Sequence, residues 1–188
     1  MDRFIREFTI SPSICDDIVD FYYNNDDYPI RRGRHGGKAS DESKDLEVKD
    51  SYDVCVGLNY SDFDKRIKNY LDALNGCLDE YFDEFPHAKM PCRISDKFNI
   101  QRYEPGGGYK VWHHERTHNK HALRRHVVWM TYLTDNPNGG TEFLYQDLCV
   151  NAEKGKTLIW PAEWNYTHRS QIDEENEKMI ITGWVELL

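Results

Sequence analysis

The chain has 188 residues, with 39% hydrophobic and 13% aromatic side chains, so it is globular and long enough to bury a sizeable core. Its formal net charge of -9 excludes the basic stripe that phosphate binding needs, so neither nucleic acid nor a membrane surface is an expected partner. Five cysteines (Cys15, Cys55, Cys77, Cys92, Cys149) form no C-x-x-C pair and are odd in number, which predicts free thiols in a reducing compartment. MDRFIREF has no apolar run of signal-peptide length, and no stretch approaches the ~20 apolar residues of a membrane span. A single cytoplasmic domain spanning residues 1–188 is expected.

In chain order, Ser11-Pro12 opens a helix in which Ile14, Ile18, Phe21 and Tyr22 recur at helical spacing. RRGRHGGKASDESKD, residues 31–45, is Gly-rich and charged and predicts a mobile loop, with Arg31, Arg32 and Arg34 as candidate gripping residues. Ser61 is the predicted cap of a second helix, with Asp64 as its capping-box partner. Its apolar face is Phe63, Ile67, Tyr70, Leu71, Leu74, Leu78 and Tyr81, and Pro86 follows its end. Both helices read as scaffold.

After Pro91 the character changes. FNIQRY, RHVVWMTYL, GGTEFLY, KTLIW, YTHRSQI and KMIITGWVEL are short, rich in β-branched and aromatic residues, and separated by turn signals. The predicted architecture is helical support over residues 1–90 and a β core over 91–188: mostly β (α+β), an antiparallel barrel or double-sheet jelly roll.

Chemistry concentrates in YKVWHHERTHNKH, residues 109–121. His114-Glu115-Arg116-Thr117-His118 spells H-E-x-x-H, a zinc-protease motif that works only on a helix, where i and i+4 share a face. Three upstream glycines, an extended YKVW and no third ligand argue against that reading. His113-His114-Glu115 spells H-x-E, which on a strand turns His113 and Glu115 the same way. His168, in another predicted strand, would complete two histidines and one carboxylate, the set of non-haem Fe(II) oxygenases. Lys178 follows ten positions later. Alternation puts it on one face with Ile180, Thr182 and Trp184, and a Lys in an apolar strand calls for an anion.

Four segments in order resemble the prolyl 4-hydroxylases of the 2-oxoglutarate/Fe(II) dioxygenase superfamily: RYEPGGGYKVWHHE, RHVVWMTYLTDNPNGGTEF, EKGKTLIW and THRSQIDEENEKMIITGW. The resemblance covers roughly residues 97–186. It implies a double-stranded β-helix (jelly roll, cupin-like), with His113, Glu115 and His168 holding Fe(II) and Lys178 pairing with 2-oxoglutarate. It also implies Tyr103 and Tyr132 lining the co-substrate pocket, and Arg125, Tyr109 and Trp184 near the target residue. Arg125 and Tyr132 are seven apart, so an ideal strand puts them on opposite faces and a bend or bulge is needed.

The implied reaction consumes O2 and 2-oxoglutarate, releases succinate and carbon dioxide, and hydroxylates an unactivated C–H bond, with ascorbate as an implied reductant. The implied substrate is a prolyl-type peptide or protein. A free amino acid or other small molecule is the alternative, and a non-catalytic cupin-like binding module is the alternative of a different class. Two features depart from the family pattern: Glu115 stands where Asp is usual, and Trp112 is one extra residue between Tyr109 and His113. Small phage- and bacterium-encoded members show a similar Y-x-x-W-H-x-E arrangement.

Overall fold

The computed structural model describes residues 4–34, 45–58 and 64–188. Thirteen strands and two α-helices run in the order β1 (Arg6–Thr9), α1 (Pro12–Asn24), β2 (Arg31–Arg32), β3 (Lys49–Asp50), β4 (Tyr52–Gly57), α2 (Lys65–Glu84), β5 (Cys92–Ile94), β6 (Lys97–Tyr103), β7 (Gly108–Tyr109), β8 (Arg125–Tyr132), β9 (Asn136–Phe143), β10 (Leu148–Ala152), β11 (Lys156–Pro161), β12 (His168–Ser170) and β13 (Lys178–Leu187). The main antiparallel sheet has the order β1-β11-β8-β13-β6-β4-β2, with β5 paired to the far end of β13. A second sheet, β10-β9-β12, faces it, and β3 and β7 form a separate ribbon. This is a mostly β, jelly-roll architecture with helices on one side.

The helices form where apolar spacing predicts. Cys15, Ile18, Phe21 and Tyr22 of α1 are buried, as are Ile67, Tyr70, Leu74, Cys77, Leu78, Tyr81 and Phe82 of α2. They cover Val54, Val56, Phe98, Ile100, Val127, Trp129, Met179, Ile181 and Val185 on the main sheet. Each fully buried Leu or Ile on this face contributes roughly 1.5–3 kcal/mol of transfer free energy. Gly183 sits in β13 where a Cβ would lie 2.4 Å from the Trp129 ring, so the ring uses the space a side chain would fill.

The caps differ from expectation. Ser11 is the N-cap of α1, but its hydroxyl makes no capping bond and instead meets the Ser13 hydroxyl at 2.9 Å. For α2, Asp64 is itself the N-cap, accepting from the Arg66 backbone N–H at 2.8 Å. The guanidinium of Arg66 holds the same carboxylate, which fixes the helix start here. Ser61 and Phe63 lie outside the described residues, as do residues 35–44 of the predicted loop. Arg31 and Arg32 are strand residues: β2 pairs with β4, and Arg32 binds Asp50 and stacks over Tyr52.

The first ninety residues are not helical support alone. β1 extends the main sheet beside β11, and β4 extends it beside β6. No described helix is long and apolar enough to cross a membrane.

The other face of the main sheet meets the second sheet. Tyr103, Val128, Met130, Tyr132, Leu158, Trp160 and Ile180 pack there against Phe143, Val150 and Ala152. Near its start, β8 carries a bulge: Val185 opposes Val127, but the next residue, Glu186, opposes Arg125. His126 is the extra residue. It turns to the helices, with Nε2 2.7 Å from the Ala88 carbonyl and its ring stacked on Phe82. Arg125 therefore faces the same side as Tyr132, as its sequence position alone would forbid.

Candidate metal centre

The chain enters the site through Pro105-Gly106-Gly107-Gly108. Gly106 adopts a φ of +80°, which favours glycine. A Cβ on Gly107 would lie 2.8 Å from the Glu104 carbonyl and 2.9 Å from that of Asp50. The tight turn delivers Tyr109 into β7 and the following residues to the mouth of the two sheets. His113 belongs to no strand. It makes an isolated antiparallel bridge to His168 of β12: its N–H donates to the His168 carbonyl at 3.0 Å, and its carbonyl accepts from the His168 N–H at 2.9 Å.

Each imidazole uses Nδ1 on a backbone carbonyl, His113 on Val111 (3.2 Å) and His168 on Tyr166 (2.9 Å). A carbonyl only accepts, so Nδ1 carries the proton and Nε2 presents its lone pair. The Nε2 atoms of His113 and His168 lie 3.5 and 3.8 Å from Glu115 Oε1. The three ligand atoms are all within 4.8 Å of one another, and this is the one such cluster of three or more among the described residues. Ligands at right angles on ~2.1 Å bonds sit about 3 Å apart, so these residues fit one divalent ion after small side-chain rotations.

Charge suits the same role. Burial and the neighbouring His113 push the His168 imidazole down to about 3, so it is neutral at ordinary pH. Burial works against the Glu115 carboxylate, but the neighbouring His113 and the Arg125 guanidinium override it and hold the group well below the usual carboxylate range. Glu115 Oε2 accepts from Arg125 Nη1 at 2.7 Å and from Trp184 Nε1 at 2.9 Å. Tyr109 stacks on His113 with ring centroids 3.6 Å apart, and burial pushes its hydroxyl up to about 12. The H-E-x-x-H reading fails because residues 114–118 contain no helix.

Lys178, the first residue of β13, is only 4% exposed. Its Nζ donates to the Gly139 carbonyl at 2.5 Å, lies 5.3 Å from the Tyr103 ring centroid, and makes no ion pair among the described residues. Burial pushes its pKa down to about 8, with Asp173 acting in the opposite direction. Two of its three donors thus remain for an anion. Tyr132 shares its hydroxyl with Thr141 at 2.6 Å. Tyr103 donates to Gln101 Oε1 at 2.6 Å.

Behind Tyr103 lies a polar network that sequence reading missed. Gln101 Nε2 reaches Asp53 at 3.5 Å, and Asp53 pairs with buried Lys49 at 2.6 Å and accepts from Ser51 at 2.8 Å. Gln101 could have been found from its i–2 spacing to Tyr103. Lys49 and Asp53 lie in a segment whose pairing to β6 and β7 no local pattern announces.

Two histidines and one carboxylate at the mouth of a jelly roll, with a buried unpaired lysine on an adjoining strand, define a non-haem iron oxygenase. Residues 98–186 match the model of the 2OG-Fe(II) oxygenase superfamily. The chain is a 2-oxoglutarate-dependent dioxygenase of prolyl 4-hydroxylase-like fold, and the family's cofactors are Fe(II), 2-oxoglutarate and O2. Among solved structures it is similar to the viral collagen prolyl hydroxylase of Paramecium Bursaria Chlorella virus-1 in its 2OG complex, at 15% identity and a TM-score of 0.71, covering 99% of this chain and 97% of that one. A Pseudomonas putida prolyl-4-hydroxylase is similar at 13% identity and a TM-score of 0.69, covering 99% and 94%. A Trichoplax adhaerens prolyl hydroxylase, in complex with a hypoxia inducible factor oxygen degradation domain peptide fragment, is similar at 13% identity and 0.66, covering 98% and 84%. No curated protein sequence matches significantly.

Proposed function

We propose that the protein hydroxylates a prolyl-type residue in a peptide or protein. In this reading His113 Nε2, Glu115 Oε1 and His168 Nε2 hold Fe(II), and the convergence of these three atoms within 4.8 Å is the observation that carries it. The metal with 2-oxoglutarate and O2 supplies the oxidising chemistry, and the chain's own residues bind, orient and exclude water. Lys178 takes the distal carboxylate of 2-oxoglutarate, gaining a charge-assisted pair at a buried position. Tyr103 and Tyr132 shape the co-substrate pocket beside it.

Tyr109, Arg125 and Trp184 surround the ligand set on its other sides and receive the target residue. The likeness to prolyl hydroxylases over nearly the whole chain supports a peptide substrate. Strands from both halves in one sheet support a single domain, and five unpaired cysteines support a reducing, cytoplasmic setting.

The test is anaerobic addition of Fe(II) and then 2-oxoglutarate, followed by the visible charge-transfer band, then aerobic turnover with ascorbate and proline-containing peptides. The band and a peptide mass gain of one oxygen atom are expected. Turnover stimulated by free amino acids but by no peptide would overturn the peptide reading.

A further inference from the structure

Glu115 presents Oε1 to the histidines, while Oε2 is held from two neighbouring strands. Arg125 on β8 donates through Nη1 at 2.7 Å, and Trp184 on β13 donates through Nε1 at 2.9 Å. The same Nη1 also donates to the Glu115 backbone carbonyl at 3.1 Å, so one guanidinium fixes both ends of the residue. That guanidinium lies 3.5 Å from the Trp184 ring centroid, so the two donors also brace each other. Arg125 reaches this face only because His126 bulges out of β8. In a regular strand it would point with Val127 and Trp129 into the helix-side core.

A glutamate has one more rotatable bond than an aspartate, so its carboxylate has more ways to turn. Left free, it could chelate through both oxygens or swing away from the histidines. Two donors anchored on adjacent strands remove that freedom.

We propose that Arg125 and Trp184 are positioning residues for the Glu115 ligand, gripping Oε2 so that Oε1 alone faces the metal. The inference rests on the assignment of His113, Glu115 and His168 to the metal. It gives Arg125 and Trp184 a task that precedes any contact with a target residue. Arg125 Nε remains buried without a hydrogen-bond partner among the described residues, so the clamp leaves a donor for that contact. Outer partners of this kind typically account for about 10–100-fold in metal affinity.

The test uses Trp184→Phe, which keeps a ring beneath the guanidinium and removes only the donor, with Arg125→Gln and Arg125→Lys. Anaerobic Fe(II) and Co(II) affinities are measured without 2-oxoglutarate, together with the visible d–d spectrum of the Co(II) form and a thermal melt. The expected result is about 10-fold weaker binding for Trp184→Phe and up to about 100-fold for Arg125→Gln. Both should show altered Co(II) bands, and Arg125→Lys should recover part of the loss. Trp184→Phe decides the matter if Arg125→Gln does not fold. Wild-type affinity and bands in Trp184→Phe, alongside lost metal binding in a parallel His113→Ala, overturn the clamp and leave the metal assignment standing. Retained binding in His113→Ala overturns both.

Discussion

Strand β13 sends Met179, Ile181 and Val185 to the helices and Lys178, Ile180, Thr182 and Trp184 to the second sheet. The helix side is largely apolar and rich in aromatic rings, its main polar feature being the buried Tyr70–Thr131–Thr157 hydroxyl chain. The other side also carries Val128, Met130 and Leu158, but admits a lysine, a glutamate and two histidines. Separating the two faces by strand periodicity lets one hold the fold while the other carries costly polar groups.

Removing a ligand tests this separation most severely. His113→Ala or His168→Ala should abolish 2-oxoglutarate turnover, while thermal melts stay close to wild type. Full turnover in His168→Ala would sink the metal assignment. The mirror experiment is Leu74→Ala, at a fully buried position of α2. It should cost about 2–5 kcal/mol of stability, read by chemical denaturation, with turnover per folded molecule preserved at low temperature. Lost activity in a fully folded Leu74→Ala protein would mean that the faces are coupled.

Lys178→Ala is expected to be milder. Losing one charge-assisted pair, ~1.5–3 kcal/mol, should weaken 2-oxoglutarate binding without moving Fe(II) affinity, as calorimetry can check.

The smallest effect is in pH. Burial lowers Lys178 from its usual 10.5 to about 8. Between those values the unfolded chain holds a proton that the folded chain has released, so stability due to Lys178 rises with pH across that window. Binding runs the other way: 2-oxoglutarate needs the charged lysine, so its affinity should fall as pH rises above about 8. A flat affinity profile from pH 7 to 9.5 would disconnect Lys178 from the co-substrate.

Much of this was legible in the sequence, for physical reasons that can be named. The helices followed apolar spacing, and β6, β8, β11 and β13 followed runs of β-branched and aromatic residues. β1 and β10 were not read: REFT is short and polar and pairs with β11, distant in sequence, while LCVNA is a five-residue run that gains its strand form from the hairpin with β9. His113, Glu115 and His168 could be paired because their types and order are informative. That their union is an isolated backbone bridge, rather than two regular strands, was not. The contacts of Arg125 were least legible, since they depend on a one-residue bulge that no local signal around His126 marks.

The reciprocal bridge between His113 and His168 has a consequence for metal selection. In the proposed assignment the two imidazole donors stand on a paired backbone, and side-chain rotation alone is left to bring them onto one ion. A nitrogen-and-oxygen set of this kind ranks divalent ions by intrinsic affinity, and copper, nickel and zinc outrank ferrous iron on that scale. Mis-metallation is therefore the standing hazard of this architecture, and loading with iron depends on which ions its surroundings keep free.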